Sequence, residues 1–407
     1  MKRTTTLLVA VLVAALLPGT AAARGGPGWA ATWAASPQAL TDFLGPSWGS
    51  DGFDDHTVRQ VVRVSQGGAA LRVRLSNAYG ASPLEVAGAT VALAGDGAAV
   101  RPGTVRHLGF RGDRSPTVPA GGELASDPVV LPVRSLGRVT VTLYLAEPTG
   151  PATGHAFAST TSYRAGGDHR ADAAADAFTE TSQSWYYLSG VDVVDTSPRR
   201  DVVVAFGDSI TDGTGSTADA DNRYPDELAE RLRGRRGVVN AGIGGNRVLN
   251  DSACFGERAV DRFGRDALGQ PDVRTVVLLE GINDIGFSEF PMECTLPNPR
   301  VTAAEVIAGY RELIAQARAR GVRVVGATLA PFKGAGYYTE AGEAVRDEVN
   351  AWIRDSGEFD AVVDFDRALT DPAVPDTLLP AYDSGDRLHP SDAGYRAMAE
   401  ALDLADL

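Results

Sequence analysis

The sequence comprises 407 residues with 38 basic and 52 acidic side chains, so its formal net charge is -14. A chain this acidic repels a phosphate backbone, and no basic stripe offsets the charge, which argues against nucleic acid as a partner. Its length exceeds what one hydrophobic core usually organises, so two domains are expected.

The first 23 residues have the build of a cleavable secretory signal. Lys2 and Arg3 precede the apolar run "LLVAVLVAALL", and the small residues "TAAA" come just before Arg24. This run is short for a membrane span, and no later segment approaches about 18 consecutive apolar residues. We therefore expect residues 1–23 to be removed from a secreted protein without a stable membrane anchor; an uncleaved anchor is the alternative.

Residues 24–198 are predicted to form an antiparallel β-sandwich of jelly-roll type. In "ALRVRLSN" the apolar residues Leu71, Val73 and Leu75 alternate with arginines, and "RVTVTLYL", residues 138–145, repeats the alternation. Turns rich in glycine or proline separate these runs, which is typical of short strands in a sandwich. The segment "DTSPRRD", residues 195–201, is a candidate linker.

The periodicity changes in residues 199–407. Helical patterns alternate there with continuous apolar runs, which are typical of parallel strands buried on both faces. The runs are residues 201–206, 237–242, 274–281, 322–331 and 359–365. In the clearest helix Thr302 and Glu305 form a capping box and Gly321 supplies the stop, and a last helix starts near Ser391.

This alternation predicts an α/β domain of flavodoxin-like, three-layer architecture with a five-stranded parallel sheet in the order 2-1-3-4-5. The order brings the carboxyl ends of strands 1, 2 and 3 together, where ligands bind in such folds. The polar motifs "GDSITDG", "GIGGN" and "GIND" follow these strands, and "DRLHP" precedes the last helix. We expect all four to meet at one rim of the sheet.

Residues suited to acyl transfer occur in these motifs. Ser209 is the candidate nucleophile, and His389, the only one of five histidines in residues 199–407, is the candidate base. Asp386, three residues before His389, can orient the imidazole. Three other aspartates could do so instead: Asp364, Asp366 and Asp383.

The oxyanion of such a reaction needs fixed hydrogen-bond donors. The backbone N–H groups of Ser209 and Gly245 and the side-chain amide of Asn283 are the candidates. Each motif alone also fits an ordinary turn, a helix cap, a flexible loop or a surface histidine. Their joint occurrence in this chain order favours the catalytic interpretation.

The four blocks "GDSI", "NAGIGGN", "GIND" and "DRLH" resemble those of the GDSL, or SGNH, hydrolase family of serine esterases and lipases. The resemblance covers roughly residues 200–407 and implies nucleophile Ser209, base His389, orienting Asp386, and oxyanion donors Ser209, Gly245 and Asn283. It implies no metal and no organic cofactor.

Departures from the family pattern are small. Ile210 replaces the usual leucine, Ile282 stands where threonine is frequent, and Glu280 precedes the third block, where it could touch substrate or form a buried ion pair. The segments "WAATWAASP" and "LEGINDIG" are most similar to secreted bacterial members grouped with xylan-related acetyl or aryl esterases.

The two cysteines, Cys254 and Cys294, are predicted to form a disulfide, because an exported protein meets an oxidising environment. Two unpaired buried thiols are the alternative. The sequence contains no Cys-x-x-Cys motif or Cys/His cluster, which argues against a metal site.

The sequence thus predicts a secreted serine esterase for short-chain acyl esters, such as acetylated polysaccharides. An extracellular lipase, phospholipase or arylesterase is the alternative, and a non-catalytic carbohydrate-binding protein on the same fold is the hypothesis from another class. The sandwich either walls one side of the cleft or binds carbohydrate. Four tryptophans could then be sugar platforms: Trp29, Trp33, Trp48 and Trp185.

Overall fold

The computed structural model describes residues 28–44, 47–194 and 201–407. The predicted leader, residues 1–23, and residues 195–200 of the predicted linker lie outside the described residues. Antiparallel strands occupy the first half of the chain, and strands alternating with helices occupy the second. In the described part, none of the helices combines the length and the apolar character that crossing a membrane requires.

The first half contains sixteen strands within the described ranges, and most are short. They are β1 (Trp29–Ala34), β2 (Gln38–Ala39), β3 (His56–Arg63), β4 (Gly68–Ser76), β5 (Leu84–Glu85), β6 (Gly88–Leu93), β7 (Arg106–His107), β8 (Thr117–Val118), β9 (Glu123–Ala125), β10 (Val129–Val133), β11 (Arg138–Leu145), β12 (Thr153–His155), β13 (Ser162–Gly166), β14 (Glu180–Ser182), β15 (Trp185–Tyr186) and β16 (Leu188–Val194).

Two larger antiparallel sheets share one hydrophobic core. One has the order β1-β16-β4-β10 with β9 also paired to β4, and the other has the order β14-β13-β3-β11-β6-β7. The odd-numbered residues 71–75 of β4 and 139–145 of β11 are fully buried in this core. On the other face of β4, Arg72 and Arg74 pair with Asp192 of β16. The predicted alternation and antiparallel pairing are confirmed.

The second half consists of five strands and eight α-helices within the described residues. They are β17 (Val202–Gly207), α1 (Ser209–Asp212), α2 (Tyr224–Leu232), β18 (Gly237–Gly242), α3 (Ala259–Asp266), β19 (Val273–Leu279), α4 (Ile282–Glu289), α5 (Ala303–Ala319), β20 (Arg323–Ala327), α6 (Glu340–Asp355), β21 (Ala361–Val363), α7 (Phe365–Leu369) and α8 (Asp392–Ala401).

The five strands form one parallel sheet in the order β18-β17-β19-β20-β21. This is the predicted order 2-1-3-4-5. All six residues of β17 are buried, as its continuous apolar run requires. Helix α5 begins after Thr302, where the predicted capping box with Glu305 is formed in both directions, and α8 begins after Ser391.

The first strand of the chain packs against both halves. The backbone N–H of Ala31 in β1 donates to the carbonyl of Pro271, 3.1 Å away, which lies just before β19. Ala31 belongs to the hydrophobic core of the second half, whereas Trp33 belongs to that of the first. Residues two apart on a regular strand share a face, but the pairing of β1 with β16 shifts register between Ala31 and Trp33, and these two residues therefore serve different cores.

Candidate active site

Ser209 lies in a tight strand-to-helix turn at the carboxyl end of β17. Asp208 caps α1 by accepting a hydrogen bond from the backbone N–H of Ile210 at 2.9 Å. A Cβ atom on Gly207 would fall 2.0 Å from the carbonyl oxygen of Leu279 and 2.3 Å from the hydroxyl of Thr211. Only glycine fits there, so the turn can fold back closely and set the serine at the first position of α1.

His389 and Asp386 lie beside this serine. The Nε2 atom of His389 is 2.8 Å from the Oγ of Ser209, and its Nδ1 is 2.6 Å from Oδ2 of Asp386. The other oxygen of Asp386 accepts the backbone N–H groups of Leu388 and His389 at 2.9 and 2.8 Å. A ring with its proton on Nδ1 would donate to Asp386 and accept from the serine hydroxyl.

These contacts also favour the ionised form of Asp386. Partial burial raises the pKa of a carboxyl group, but the hydrogen bonds from the ring and backbone of His389 outweigh burial and lower the pKa of Asp386 well below its ordinary range. The carboxylate is therefore charged across the neutral range and available to orient the ring.

The three alternative aspartates lie in other contacts. Asp364 pairs with Arg354 and Asp366 with Arg346. Asp383 accepts the backbone N–H groups of residues 385 and 387 and so shapes the loop before the histidine. Among the candidates it is Asp386 that reaches the ring of His389.

Asn283, at the start of α4, is held on both ends of its side-chain amide. Its Nδ2 donates to the carbonyl of Asn246 at 3.0 Å, and its Oδ1 accepts the hydroxyl of Tyr337 at 3.2 Å. The amide nitrogen has a second N–H group beyond this contact. Asp284 accepts the backbone N–H groups of residues 248 and 249, so α4 and the loop after β18 are tied together.

The loop after β18 places Gly245 on the same rim. Its φ is +74°, a left-handed conformation that favours glycine. The side chain of Asn246 donates to the carbonyls of residues 255 and 257, and its oxygen accepts from Arg262 at 2.8 Å. The backbone of this loop is therefore anchored from several directions.

The predicted disulfide between Cys254 and Cys294 is confirmed, with Cα atoms 5.7 Å apart. Next to it, the ring of Phe255 stacks on that of Phe287 at a centroid distance of 5.5 Å. The disulfide thus borders the aromatic packing beneath the Gly245 loop.

Glu280 lies in a buried contact with Arg262, the position that corresponds to one of the two roles expected for it. It is fully buried, and its Oε2 lies 3.4 Å from a guanidinium nitrogen of Arg262. Arg262 also donates to the carbonyls of Gly207 and Ala241 at 2.8 and 2.9 Å, and so ties together the ends of β17 and β18. Burial raises the pKa of Glu280 well above its ordinary value.

The first half of the chain reaches this rim through residues that the sequence analysis did not select. The buried His155 of β12 lies 2.8 Å from a carboxylate oxygen of Asp212 in α1. The other oxygen of Asp212 accepts the backbone N–H of Gly244 at 3.0 Å, and Phe157 lies against that glycine. No sequence signal marks these residues, because a contact between distant chain segments leaves no local pattern.

Among the described residues, no group of three or more histidine, cysteine, aspartate or glutamate side chains is arranged to hold a metal ion. The rim instead brings together a serine, a histidine, a carboxylate and an amide. That combination can carry out acyl transfer.

Residues 205–397 match the model of the GDSL-like lipase/acylhydrolase family. A search of curated proteins found no significant match.

Several solved structures are similar to part of the chain. An acetyl xylan esterase from Geobacillus stearothermophilus is 24% identical with a TM-score of 0.39, covering 50% of this chain and 93% of its own. The acetyl xylan esterase AlAXEase is 23% identical with a TM-score of 0.38, covering 49% and 96%. A GDSL-like lipase from Bacteroides thetaiotaomicron is 19% identical with a TM-score of 0.38, covering 51% and 87%.

The family match spans the parallel sheet from β17 to most of α8, including all four polar motifs of the rim. Residues 205–397 are therefore similar to the GDSL-like lipase/acylhydrolase family, and this similarity supports the assignment of the protein as a carboxylic ester hydrolase.

Proposed function

We propose that the protein hydrolyses short-chain carboxylic esters through a triad of Ser209, His389 and Asp386 and a covalent acyl-enzyme. The observation that carries this proposal is the continuous hydrogen-bonded path from the hydroxyl of Ser209 through both ring nitrogens of His389 to Asp386, with steps of 2.8 and 2.6 Å. Nucleophile, base and orienting carboxylate have this relationship in serine hydrolases.

In the proposed first step, the Oγ of Ser209 attacks the carbonyl carbon of the ester while Nε2 of His389 takes the hydroxyl proton. The tetrahedral intermediate collapses when His389 returns that proton to the leaving alcohol, and Ser209 is left acylated. Water then attacks the acyl carbon, His389 takes the proton of the water and passes it to Ser209, and the free acid departs.

The oxyanion of both tetrahedral intermediates is assigned three donors. They are the backbone N–H groups of Ser209 and Gly245 and the second N–H of the Asn283 amide. Support comes from the fixed position of each donor: Ser209 starts α1, Gly245 sits in an anchored loop, and Asn283 is held by Asn246 and Tyr337. Donors fixed in advance stabilise developing charge without a reorganisation cost.

The alcohol portion of the substrate is proposed to be a neutral sugar unit. A cavity of about 330 Å³ lies between the two halves of the chain and is lined by Thr214 and Gly215. Thr214 follows Ser209 closely, and its backbone N–H donates to the carbonyl of that serine at 2.9 Å. Seven of the twelve lining residues carry a hydroxyl or amide group, and none of the described lining residues is charged. Such a lining suits a polyhydroxylated, uncharged ligand.

The tryptophans of the first half contribute mainly to packing. Trp33 and Trp185 are buried and meet edge to face at 4.8 Å. Trp48 stacks on Tyr186 and is covered by Arg164, and Arg72 lies over the ring of Trp29. These contacts favour the role of the sandwich as one wall of the cleft over that of a separate carbohydrate-binding surface.

The proposal includes export of the protein, with residues 1–23 as a cleaved leader. The two domains are assigned to residues 24–198 and 199–407. The disulfide between Cys254 and Cys294 supports an oxidising compartment. Amino-terminal sequencing of the exported protein should begin near Arg24. A mature chain that starts at Met1 would contradict the cleaved leader.

The substrate proposal is tested with p-nitrophenyl esters of increasing acyl length beside acetylated xylo-oligosaccharides. We expect kcat/KM to fall as the acyl chain lengthens beyond acetate and acetate to be released from the oligosaccharide. Gln183→Ala, which alters the cavity, should raise KM for the oligosaccharide and leave p-nitrophenyl acetate unaffected. A maximum at long acyl chains would favour the lipase alternative, and no hydrolysis of any ester would favour the binding-protein alternative.

A further inference from the structure

His155, the last residue of β12, is buried between two hydrogen-bond acceptors. It is 3% exposed, with Nδ1 3.1 Å from the carbonyl oxygen of Ser36 and Nε2 2.8 Å from Oδ1 of Asp212. A carbonyl and a carboxylate only accept hydrogen bonds, so the ring satisfies both contacts when both nitrogens carry protons. The geometry favours an imidazolium beside an ionised Asp212.

Asp212 connects this histidine to the rim. It is 2% exposed and is the last residue of α1, the helix that begins at Ser209. Its second oxygen accepts the backbone N–H of Gly244 at 3.0 Å. Gly244 immediately precedes Gly245, so one carboxylate joins His155, the helix of the nucleophile and the loop of a proposed oxyanion donor.

The charged groups facing His155 are Asp212 and Arg223. Burial lowers the pKa of His155, but the charge and hydrogen bond of Asp212 and the Ser36 carbonyl raise it, so that it lies above its ordinary value despite the opposing Arg223. The ring of Trp185 lies 5.5 Å from that of His155 and 5.8 Å from the guanidinium of Arg223. The electrostatic surroundings agree with the hydrogen-bond geometry.

We propose that His155, contributed by the antiparallel half, is a positioning residue for ester hydrolysis: through Asp212 it holds the Gly244–Gly245 loop in the conformation that presents an N–H group to the oxyanion. The proposal rests on the serine mechanism above. It makes the first half of the chain a part of the catalytic unit, because a donor displaced by about 1 Å can cost about 10²-fold in rate.

The test compares His155→Gln with the wild type in the full chain, with p-nitrophenyl acetate as substrate. Glutamine cannot carry the positive charge, and both of its N–H groups are on one nitrogen, whereas the imidazolium donates from two separate ring nitrogens. We expect kcat to fall about 10- to 100-fold while KM stays within about twofold. His169→Gln is the matched control, since His169 forms a 2.8 Å pair with Asp172 at the surface of the same half. Its kcat should equal that of the wild type.

A double-mutant cycle tests whether His155 acts through Asp212. If it does, the variant carrying both His155→Gln and Asp212→Asn loses no more kcat than Asp212→Asn alone. Independent, multiplying losses would overturn the proposal.

A pH profile separates positioning from a merely structural role. Because the folded-state pKa of His155 is raised, the imidazolium is present at low pH and is lost as the pH rises through that value. The kcat of the wild type should therefore decline on the alkaline side, and that decline should be absent in Asp212→Asn. An identical decline in both proteins would overturn the proposal even if His155→Gln failed to fold.

Active sites are counted by reaction with a fluorophosphonate, so that kcat refers to folded enzyme only. No labelling of wild-type Ser209 would mean that the serine mechanism itself fails. Full labelling of the wild type and of His155→Gln, with equal kcat for the two proteins, would leave that mechanism intact and overturn the role of His155.

Discussion

Gly245 lies directly against the ring of Phe255: a Cβ atom on the glycine would fall 2.3 Å from the nearest ring carbons. Phe255 is itself held by its stack on Phe287 and by the neighbouring disulfide of Cys254. The ring therefore has little room to move, and it fixes how closely the proposed oxyanion loop approaches the rim.

We predict that Gly245→Ala lowers kcat on p-nitrophenyl acetate by about 10- to 100-fold, because the methyl group displaces the loop and its N–H. The matched control is Gly321→Ala, where φ is +67° but nothing lies within 4 Å of the added carbon. The control carries similar backbone strain of about 1 kcal/mol without the clash and should keep its kcat. Equal losses in both variants would contradict this role of the loop.

Asn283→Ala removes the only side-chain donor assigned to the oxyanion. We predict a decrease in kcat of about 10²- to 10³-fold with little change in KM. Tyr337→Phe removes the hydroxyl that orients this amide and keeps its donor, so its loss should be smaller. The measurement is the steady-state kcat and KM of both variants on p-nitrophenyl acetate. Full activity of Asn283→Ala would exclude the amide as a donor.

The disulfide should contribute substantially to stability. It closes a loop between positions 40 residues apart. On the chain-entropy model, a loop of this size stabilises the folded state by roughly 3 to 4 kcal/mol. We expect the double variant Cys254→Ala, Cys294→Ala to lose about that much free energy of unfolding in a urea titration. Reduced wild type serves as the comparison, and equal midpoints for wild type and variant would contradict the prediction.

The buried carboxyl group of Asp208 should make the free energy of unfolding depend on pH. Burial raises its pKa to about 7, so between about pH 4 and pH 7 the folded state holds a proton that the unfolded chain releases. The free energy of unfolding must then fall as the pH rises through this window. Asp208→Asn keeps the acceptor for Ile210 and cannot ionise, so its melting temperature should fall less between pH 4 and pH 7.

The exposed Asp355 at the end of α6 provides the control for this experiment. Asp355→Asn should show the same fall in melting temperature as the wild type. If the melting temperature of Asp208→Asn falls as much as that of the wild type between pH 4 and pH 7, the buried carboxyl group of Asp208 does not titrate in this pH range.

The parallel half was readable from the sequence because its signals are local. Continuous apolar runs marked the strands, Thr302 and Glu305 marked a helix start, and the order expected for a doubly wound sheet of this size is the order observed. The expected location of the polar motifs then followed from the carboxyl ends of the predicted strands. His389 stood out because it is the only histidine in that half, and among the four aspartates considered it is Asp386 that contacts its ring.

Contacts between distant segments were not readable. His155 lies 57 residues from Asp212 and in the other half of the chain, and its sequence neighbourhood is that of an ordinary strand. The same holds for Arg262, which lies on α3 and ties β17 to β18. Both act through tertiary packing, which depends on the docking of elements and leaves no periodic pattern.

The most direct measurement is the mass of the protein and of its peptides after reaction with a fluorophosphonate. We predict one adduct on the wild type, on the peptide that contains Ser209, no adduct on Ser209→Ala, and much slower labelling of His389→Ala. The kcat of Ser209→Ala on p-nitrophenyl acetate should fall by at least about 10⁴-fold. An adduct on another residue, or wild-type activity in Ser209→Ala, would contradict the serine mechanism.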